Sequence, residues 1–445
     1  MSDILIRNAQ IVNEGKIFGS DLLIKGDFIF KISSNIEIKK NYKIINAKNK
    51  LLIPGVIDDQ VHFREPGLTH KATINSESKA AVAGGVTSFI EMPNTIPQTT
   101  TVKALENKFE LAKKNSYANY SFMFGGTNTN IDEIKKLNKK KVPALKLFLG
   151  SSTGNMLVDN EKTLREIFEN TELLIAVHSE DEKIINNNLN EFKSKFGDKI
   201  PFSCHPQIRS TEACLKSTLK IIQLAKETGA RLHVFHLSTK SESLLFDNKI
   251  PLKQKQITSE VCVHHLWFSS DDYERKQSLI KWNPAIKTKD DRRALWKALV
   301  NDRIDIIATD HAPHTLEEKS KNYIECPSGG PLVQHGLVSM IQHYLNKKIS
   351  LEKIVTKMCH NPADLFDIEK RGYIREGYFA DLVLIDLNSR WKVQKKNILY
   401  KCKWSPFENE SFDSKVTQTF VNGNLVYDNG KFESKLHGRR LTFER

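Results

Sequence analysis

Thiols, tryptophans and long apolar runs are scarce in this chain of 445 residues, which has 6 Cys and 5 Trp. Cys204, Cys214, Cys262, Cys326, Cys359 and Cys402 form no CxxC pair and no dense framework. That spacing excludes a disulfide-stapled scaffold and a zinc ribbon, and it fits reduced thiols in a cytosol. No apolar run approaches the ~18–20 residues of a membrane span. The start has no basic segment followed by an apolar core. A soluble, cytoplasmic protein without membrane contact is expected. No GxGxxG follows an early strand, which argues against an open dinucleotide-binding sheet. Cations do outnumber anions, 67 Lys+Arg against 53 Asp+Glu, giving a net charge of +14. Yet they are scattered lysines, as at Lys39-Lys40, Lys139 to Lys141 and Lys395-Lys396, with no RRM-like, zinc-finger or homeodomain pattern. A solvated lysine-rich surface, with no nucleic-acid partner, is the reading.

What is present is a change of texture along the chain. Residues 4–33 are short strands broken by turns such as Gly26-Asp27, and 380–427 repeat the pattern, with Asn422-Gly423 as a hairpin signal. Between them, apolar runs alternate with helical segments. Candidate strands are 56–63, 86–91, 120–124, 144–149, 173–179, 231–238, 256–262 and 304–310. Helical patterns such as 76–83, closed by Gly84-Gly85, and 210–227 separate most of them. Near-continuous Val/Ile/Leu strands alternating with helices imply a parallel sheet covered outside. Eight such units point to an α/β fold of the (β/α)8, TIM-type barrel class.

Polar residues cluster at the C-terminal ends of these strands: Gln60, His62, Arg64, Asn94, Lys146, His178, Glu180, His236, His264-His265, Asp310 and His314. In a closed barrel those ends meet at one mouth, where active sites are built. His62, His178, His236 and Asp310 are N/O donors suited to Zn²⁺. Gln60 and His62 share one face of their strand, but a Gln carbonyl is a poor zinc ligand. Lys146 stands inside the apolar run Ala144-Leu145-Lys146-Leu147-Phe148. Snorkelling or pairing with a carboxylate is the plain reading. The alternative is that burial favours its neutral amine, which can take up CO₂ as a carbamate able to bridge two metals.

The segment from Asp58 through Gln60, His62 and Arg64 to Gly67 resembles the DxHxHxRxPG stretch of dihydroorotases, within the amidohydrolase superfamily. Glu91-Met92-Pro93-Asn94-Thr95, the strand around Lys146, His178-Ser179-Glu180-Asp181, His236-Leu237-Ser238-Thr239, the stretch 260–266, Asn283-Pro284 and 309–314 are similar in the same order. The resemblance runs over about residues 4–430. It implies a metal-bearing barrel at 54–369, with a small β-sandwich domain made by the N- and C-terminal segments, 1–53 and 370–445. It also implies that His62 and Asp310 hold one Zn²⁺, that His178 and His236 hold another, and that carboxylated Lys146 bridges them. Arg64, Asn94 and His314 would bind a substrate carboxylate, Asn283 its ring, and Ser328-Gly329 would offer backbone contacts. The implied reaction is interconversion of dihydroorotate and carbamoyl aspartate in pyrimidine biosynthesis. A metal-activated water attacks the cyclic amide, with Asp310 as base and then acid. A homodimer, and association with aspartate transcarbamoylase, are further expectations of the resemblance.

One departure stands out. Gln60 occupies the place of the family's first ligating histidine, leaving one or two ions open. Asp59 is expected on the opposite strand face, and Asp58 on the Gln60 face as a supporting residue. Glu180 and Asp181 are read either as supports of the site or as surface carboxylates. His264-His265 are read as core packing or a backbone hydrogen bond, or else one of them lines the pocket. His205 and Arg209 are read as supports of the pocket rim, or Arg209 as a partner of Glu212; His335 and His360 are read as structural. The stretch 313–330 is read as a long loop at the mouth, a lid or plain surface. Two other functions compete: hydrolysis of another cyclic amide (dihydropyrimidine, hydantoin or allantoin), and an inactive scaffold for aspartate transcarbamoylase. The run Met92-Pro93-Asn94-Thr95 with Arg64 favours a carboxylate substrate.

Overall fold

The structure is a computed structural model that describes residues 3–150 and 156–445. All eight expected barrel strands form, and all but the second are shorter than the apolar runs that announce them. They are β1 (Val56–Val61), β2 (Val86–Glu91), β3 (Asn119–Phe122), β4 (Leu145–Phe148), β5 (Ile175–His178), β6 (Leu232–Val234), β7 (Ile257–Cys262) and β8 (Ile306–Ala308). Each neighbouring pair within β1–β3 and within β4–β8 is parallel. Phe124–Gly125 carries the sheet from β3 across to β4. The ring closes where Val61 bridges His311 and the His62 N–H donates to the His311 carbonyl at 2.7 Å.

Alternation sorts the two faces of this cylinder. Ile57, Ile90, Ala144, Ala176, Phe235 and Ile306 fill the interior, plugged at the base by Leu365, Phe366, Leu441 and Phe443. Leu145, Leu147, Ile175, Val177, Leu232 and Val234 face the surrounding helices. The helix expected at 76–83 runs Ile74–Ala83. Thr73 and Ser76 form its capping box, and Gly84 ends it. The one expected at 210–227 runs Thr211–Thr228, with the Ser210 side chain accepting from the Ala213 N–H.

Both chain ends build one nine-stranded sheet. Its central strands, Lys50–Pro54 and Leu382–Asp386, pair antiparallel and divide their residues strictly by parity. Leu52, Leu382 and Leu384 join the sheet's own core with Ile6, Leu22 and Phe420. Ile53, Val383 and Ile385 instead pack onto the barrel core. The sheet curls until Phe28 bridges Phe379, which encloses that core as a small β domain. The expected hairpin is present: Val421 pairs with Asn424, and Asn422 and Gly423 take φ of 48° and 75°. This is the two-residue turn that right-twisted strands prefer. A Cβ on Gly423 would lie 2.0 Å from the Gly26 carbonyl oxygen, so glycine is needed there twice over. Among the described residues no helix is long and apolar enough to cross a membrane.

Candidate active site

The loops leaving the C-terminal ends of the barrel strands surround a cavity of about 490 Å³, within the usual range for a small-molecule site. Gln60, His62, Arg64, Asn94, Lys146, His178, His236, Asn283, Asp310, His314, Ser328 and Gly329 all line it. Residues up to 269 positions apart thus meet, because parallel strands present all their C-terminal ends on one side. Three of them, Arg64, His236 and Asp310, hold left-handed backbone conformations at φ of 68°, 40° and 45°. Of these only Asp310 is of a type that favours this region. Such strain persists where the surroundings over-determine it, and it collects at functional sites.

Two pairs of donors face each other across short gaps. Asn94 Oδ1 accepts from His62 Nδ1 at 2.8 Å, so the proton sits on Nδ1 and the Nε2 lone pair points at Asp310 Oδ1, 3.2 Å away. His178 Nε2 makes a close ion-pair contact with Glu180 Oε2 at 2.9 Å, and its Nδ1 faces His236 Nε2 at 3.1 Å. Two nitrogens bound to one tetrahedral Zn²⁺ at 2.0–2.1 Å stand roughly 3.3 Å apart. The spacing therefore fits a shared cation. Lys146 Nζ is buried and has no hydrogen-bond partner; it lies over the Phe235 ring at 4.0 Å and the Phe148 ring at 4.9 Å. Neither the snorkelling nor the carboxylate-pair reading of Lys146 describes that position. Burial, only partly offset by Glu260 and Asp310, lowers its amine to about 7. Burial likewise raises the Asp310 carboxyl to about 7, against the pull of Lys146 and Arg64. An orphaned amine flanked by two converging donor pairs suits a metal centre with a bridging carbamate.

Gln60 lines the cavity, but its Oε1 accepts from the Cys262 thiol at 3.5 Å. Asp59 departs from its expected place. The β1–β2 register slips between Asp58 and Val61, and this bulge breaks the alternation that sends Asp59 outward. Its carboxylate lies inside the barrel, 3.8 Å from His233 Nε2, while Asp58 takes the Thr309 hydroxyl at 2.6 Å.

Glu180 is fully enclosed and supports His178, whereas Asp181 caps the helix Glu182–Phe196. Burial pushes the Glu180 carboxyl up, but Arg209, His178 and Lys287 together outweigh it and hold it at about 2. Arg209 pairs with this Glu180, not with Glu212. His205 bonds the Tyr323 hydroxyl at 2.8 Å and the Trp282 carbonyl at 2.6 Å. His264 and His265 are buried as expected, and His335 and His360 are tied to Tyr400 and to the Gly372 carbonyl.

The opposite side of the cavity is cationic. Arg64 donates through Nε to the Pro313 carbonyl at 3.1 Å, and its Nη2 lies 3.0 Å from His314 Nε2. Lys71 Nζ lies 3.0 Å from His314 Nδ1 and the Ser328 carbonyl 3.0 Å from its Nε2; because Arg64 and Lys71 can only donate, a neutral His314 accepts from one of them at a time. The loop 313–330 is clasped. Lys281 Nζ donates to the Tyr323 and Cys326 carbonyls, both at 2.6 Å, and Lys319 Nζ to those of Pro327 and Gly329, both at 2.9 Å. Because the Gly329 N–H is also taken by the Lys281 carbonyl, the polar backbone of Gly329 is engaged within the protein. Lys71, Lys281 and Lys319 escaped the sequence reading. The signal available was Lys281 inside the apolar Leu279-Ile280-Lys281-Trp282. Among the described lining residues Asp310 is the sole carboxylate, against Arg64, Lys71, Lys146, Arg209 and Lys281.

Comparison with known proteins agrees with this geometry. The chain is 31% identical over 444 residues to a dihydroorotase of Methanosphaera stadtmanae, covering 98% of this chain and 99% of that one. It is 32% identical over 443 residues to a dihydroorotase of Pyrococcus furiosus, covering 97% and 96%. A solved L-hydantoinase (dihydropyrimidinase) from Arthrobacter aurescens superposes with a TM-score of 0.94 at 27% identity, covering 99% of this chain and 100% of that chain. Residues 51–426 match the model of the amidohydrolase family. The chain is a member of the amidohydrolase family.

Proposed function

We propose that this protein is a dihydroorotase, opening dihydroorotate to carbamoyl aspartate and closing it again, with Zn²⁺ at the mouth and Lys146 carboxylated. The observation that carries this reading is the division of one cavity. His62, Asp310, His178, His236 and Lys146 supply N and O donors, and Arg64 and Lys71, with the neutral imidazole of His314 between them, form a wall suited to a carboxylate. His62 and Asp310 would hold one ion, His178 and His236 another, and the Lys146 carbamate would join them. With Gln60 turned to Cys262, each half then has two side-chain donors plus the carbamate. When bound, such ions polarise a carbonyl and supply a nucleophilic water at neutral pH.

The protein's own groups do the rest. Arg64 offers its planar fork to the substrate carboxylate, and the clasped loop keeps the ring beside Asn283. Asp310, held near the operating pH by its burial, takes the proton of the attacking water on a carboxylate oxygen. It then returns that proton to the leaving ring nitrogen; ring closure retraces the same steps. A cytosolic homodimer serving pyrimidine biosynthesis is the accompanying reading, with aspartate transcarbamoylase as a partner to test by co-purification.

The likeness to a hydantoinase fold supports one second reading, a hydantoin-type cyclic amide as substrate. Metal-depleted protein reconstituted with Zn²⁺ and bicarbonate is assayed with dihydroorotate, hydantoin and allantoin. Preference for dihydroorotate, lost in Arg64→Met, is the expected outcome. Preference for hydantoin selects the second reading, and metal content without turnover of any of them refutes the enzymatic one.

A further inference from the structure

We infer that the chain carries a second transition-metal site, built from Cys262, His264 and His265 and separate from the donor set at the mouth. β7 ends at Cys262 and the backbone turns at once into the short helix Val263–Trp267, which swings two imidazoles back beside the thiol. The donor atoms of the three residues lie within 4.8 Å of one another, and none of the residues is more than 2% exposed.

Three observations point to an ion and not to plain packing. The first is unmet hydrogen bonding. His265 Nε2 donates to the Pro284 carbonyl at 3.2 Å, so its Nδ1 is the bare lone pair, and that atom has no partner. Neither ring nitrogen of His264 has a hydrogen-bond partner of good geometry, and the one polar group interacting with the ring is the Thr309 backbone. Buried polar atoms in native proteins are nearly all satisfied, and two imidazoles with unused lone pairs beside a thiol demand a reason. Secondly, the rings are held in place. His264 stacks on Trp282 at 4.5 Å between centroids and lies 4.1 Å from the His265 ring. The third is Gln60. Its Oε1 stands 3.5 Å from Cys262 Sγ, and an oxygen and a thiolate sharing one tetrahedral zinc would be about 3.6 Å apart. Gln60 is the candidate fourth ligand, which gives its turn toward the thiol a purpose.

The other buried cluster of this kind, Asp59, His233 and Glu260, supports no such conclusion. His233 Nδ1 is bonded to the Thr258 hydroxyl at 2.8 Å. Burial and mutual repulsion hold the Asp59 and Glu260 carboxyls above the usual range, so one keeps a proton for the other. The other ring nitrogen of His233 faces Glu260 Oε2 at 3.5 Å, so that imidazole has no lone pair to spare, although neither Asp59 oxygen has a hydrogen-bond partner. His264 and His265, by contrast, keep unpartnered ring nitrogens beside the Cys262 thiol, and one sulfur with two nitrogens selects Zn²⁺ or Co²⁺ over the hard cations.

Cobalt tests the assignment, because a thiolate on Co²⁺ gives an intense near-ultraviolet charge-transfer band that N/O ligation does not. Metal-free protein is titrated with Co²⁺ while absorbance and bound metal are followed. The expected result is a band that saturates at one thiolate-linked ion per chain. The band should disappear in Cys262→Ser, with loss of one equivalent of metal, and persist in His178→Ala, which cripples only the other set. Should Cys262→Ser fail to fold, His264→Gln keeps the thiol and is expected to weaken the Co²⁺ affinity read from the band at least tenfold. No band at saturating Co²⁺, a band undiminished by Cys262→Ser, or an unchanged affinity in His264→Gln overturns the inference. A wild type that shows the band but hydrolyses no cyclic amide sinks only the dihydroorotase reading, so the two claims fail separately.

Discussion

The curled sheet and the barrel mouth treat the same physical rules in opposite ways. In the sheet, left-handed backbone falls on turn residues such as Asn422, Gly423, Gly15 and Gly26, where φ of this sign costs little. At the mouth it falls on Arg64, His236 and Asp310. Inward positions of the sheet are apolar and close-packed, as at Leu52, Leu384 and Phe420. At the mouth the equivalent inward positions are Lys146 and His178, and Lys146 has no hydrogen-bond partner. The sheet is built to be stable. The mouth tolerates strain and unpaired polar atoms, held by a barrel whose outer face is packed with buried apolar side chains.

If that contrast is right, substitutions should separate stability from chemistry. The largest effect expected is Asp310→Asn: kcat falls by about 10²–10⁴-fold, the range a positioned acid–base group supplies. The melting temperature of the metal-free protein should not fall, because the change removes a buried ionisable group held out of its usual range. Steady-state kinetics and calorimetry check both halves, and a large loss of stability would break the contrast. Phe420→Ala should do the reverse, costing about 3–5 kcal/mol of stability with KM for the substrate unchanged. Denaturant titration measures it.

Glu180→Gln probes the seam between the two regimes. It keeps the shape but removes the charge that orients His178, and Zn²⁺ should bind about 10–100-fold more weakly, or roughly 1.4–2.7 kcal/mol. A chelator competition reads it. The smallest effect concerns pH. The Lys146 amine titrates at about 7, so it is mostly protonated at pH 6 and mostly neutral at pH 8. Only the neutral amine takes up CO₂. Reconstitution at fixed dissolved CO₂ should therefore run about tenfold faster at pH 8 than at pH 6, a ratio set by the neutral fractions. Equal rates would mean that the amine is not the reacting group.

Much of the site was legible in the sequence, for a topological reason. His62, His178, His236 and Asp310 each follow an apolar strand, and a barrel of parallel strands brings such ends together whatever their separation in sequence. The sheet was legible through turn chemistry at Gly26 and Asn422-Gly423. Asp59 was misplaced because one bulge in β1 reverses parity, and a two-residue period cannot announce its own interruption. The Arg209–Glu180 pair and the lysine clasp on 313–330 were missed or left open for another reason. Their partners lie on different loops, and Lys281 and Lys319 bond backbone carbonyls, which every residue carries.

The sequence by itself determined the order of strands and helices, the inward face of the strands that keep an unbroken two-residue period and the set of chemical groups at the strand ends, because periodicity and turn residues act locally. Only the tertiary structure decided which of those groups meet. It left Lys146 without a partner, turned Gln60 from the imidazoles toward Cys262 and set His264 and His265 beside that thiol. Such outcomes depend on distances between residues remote in the chain, and those distances are fixed by how the whole barrel closes and packs.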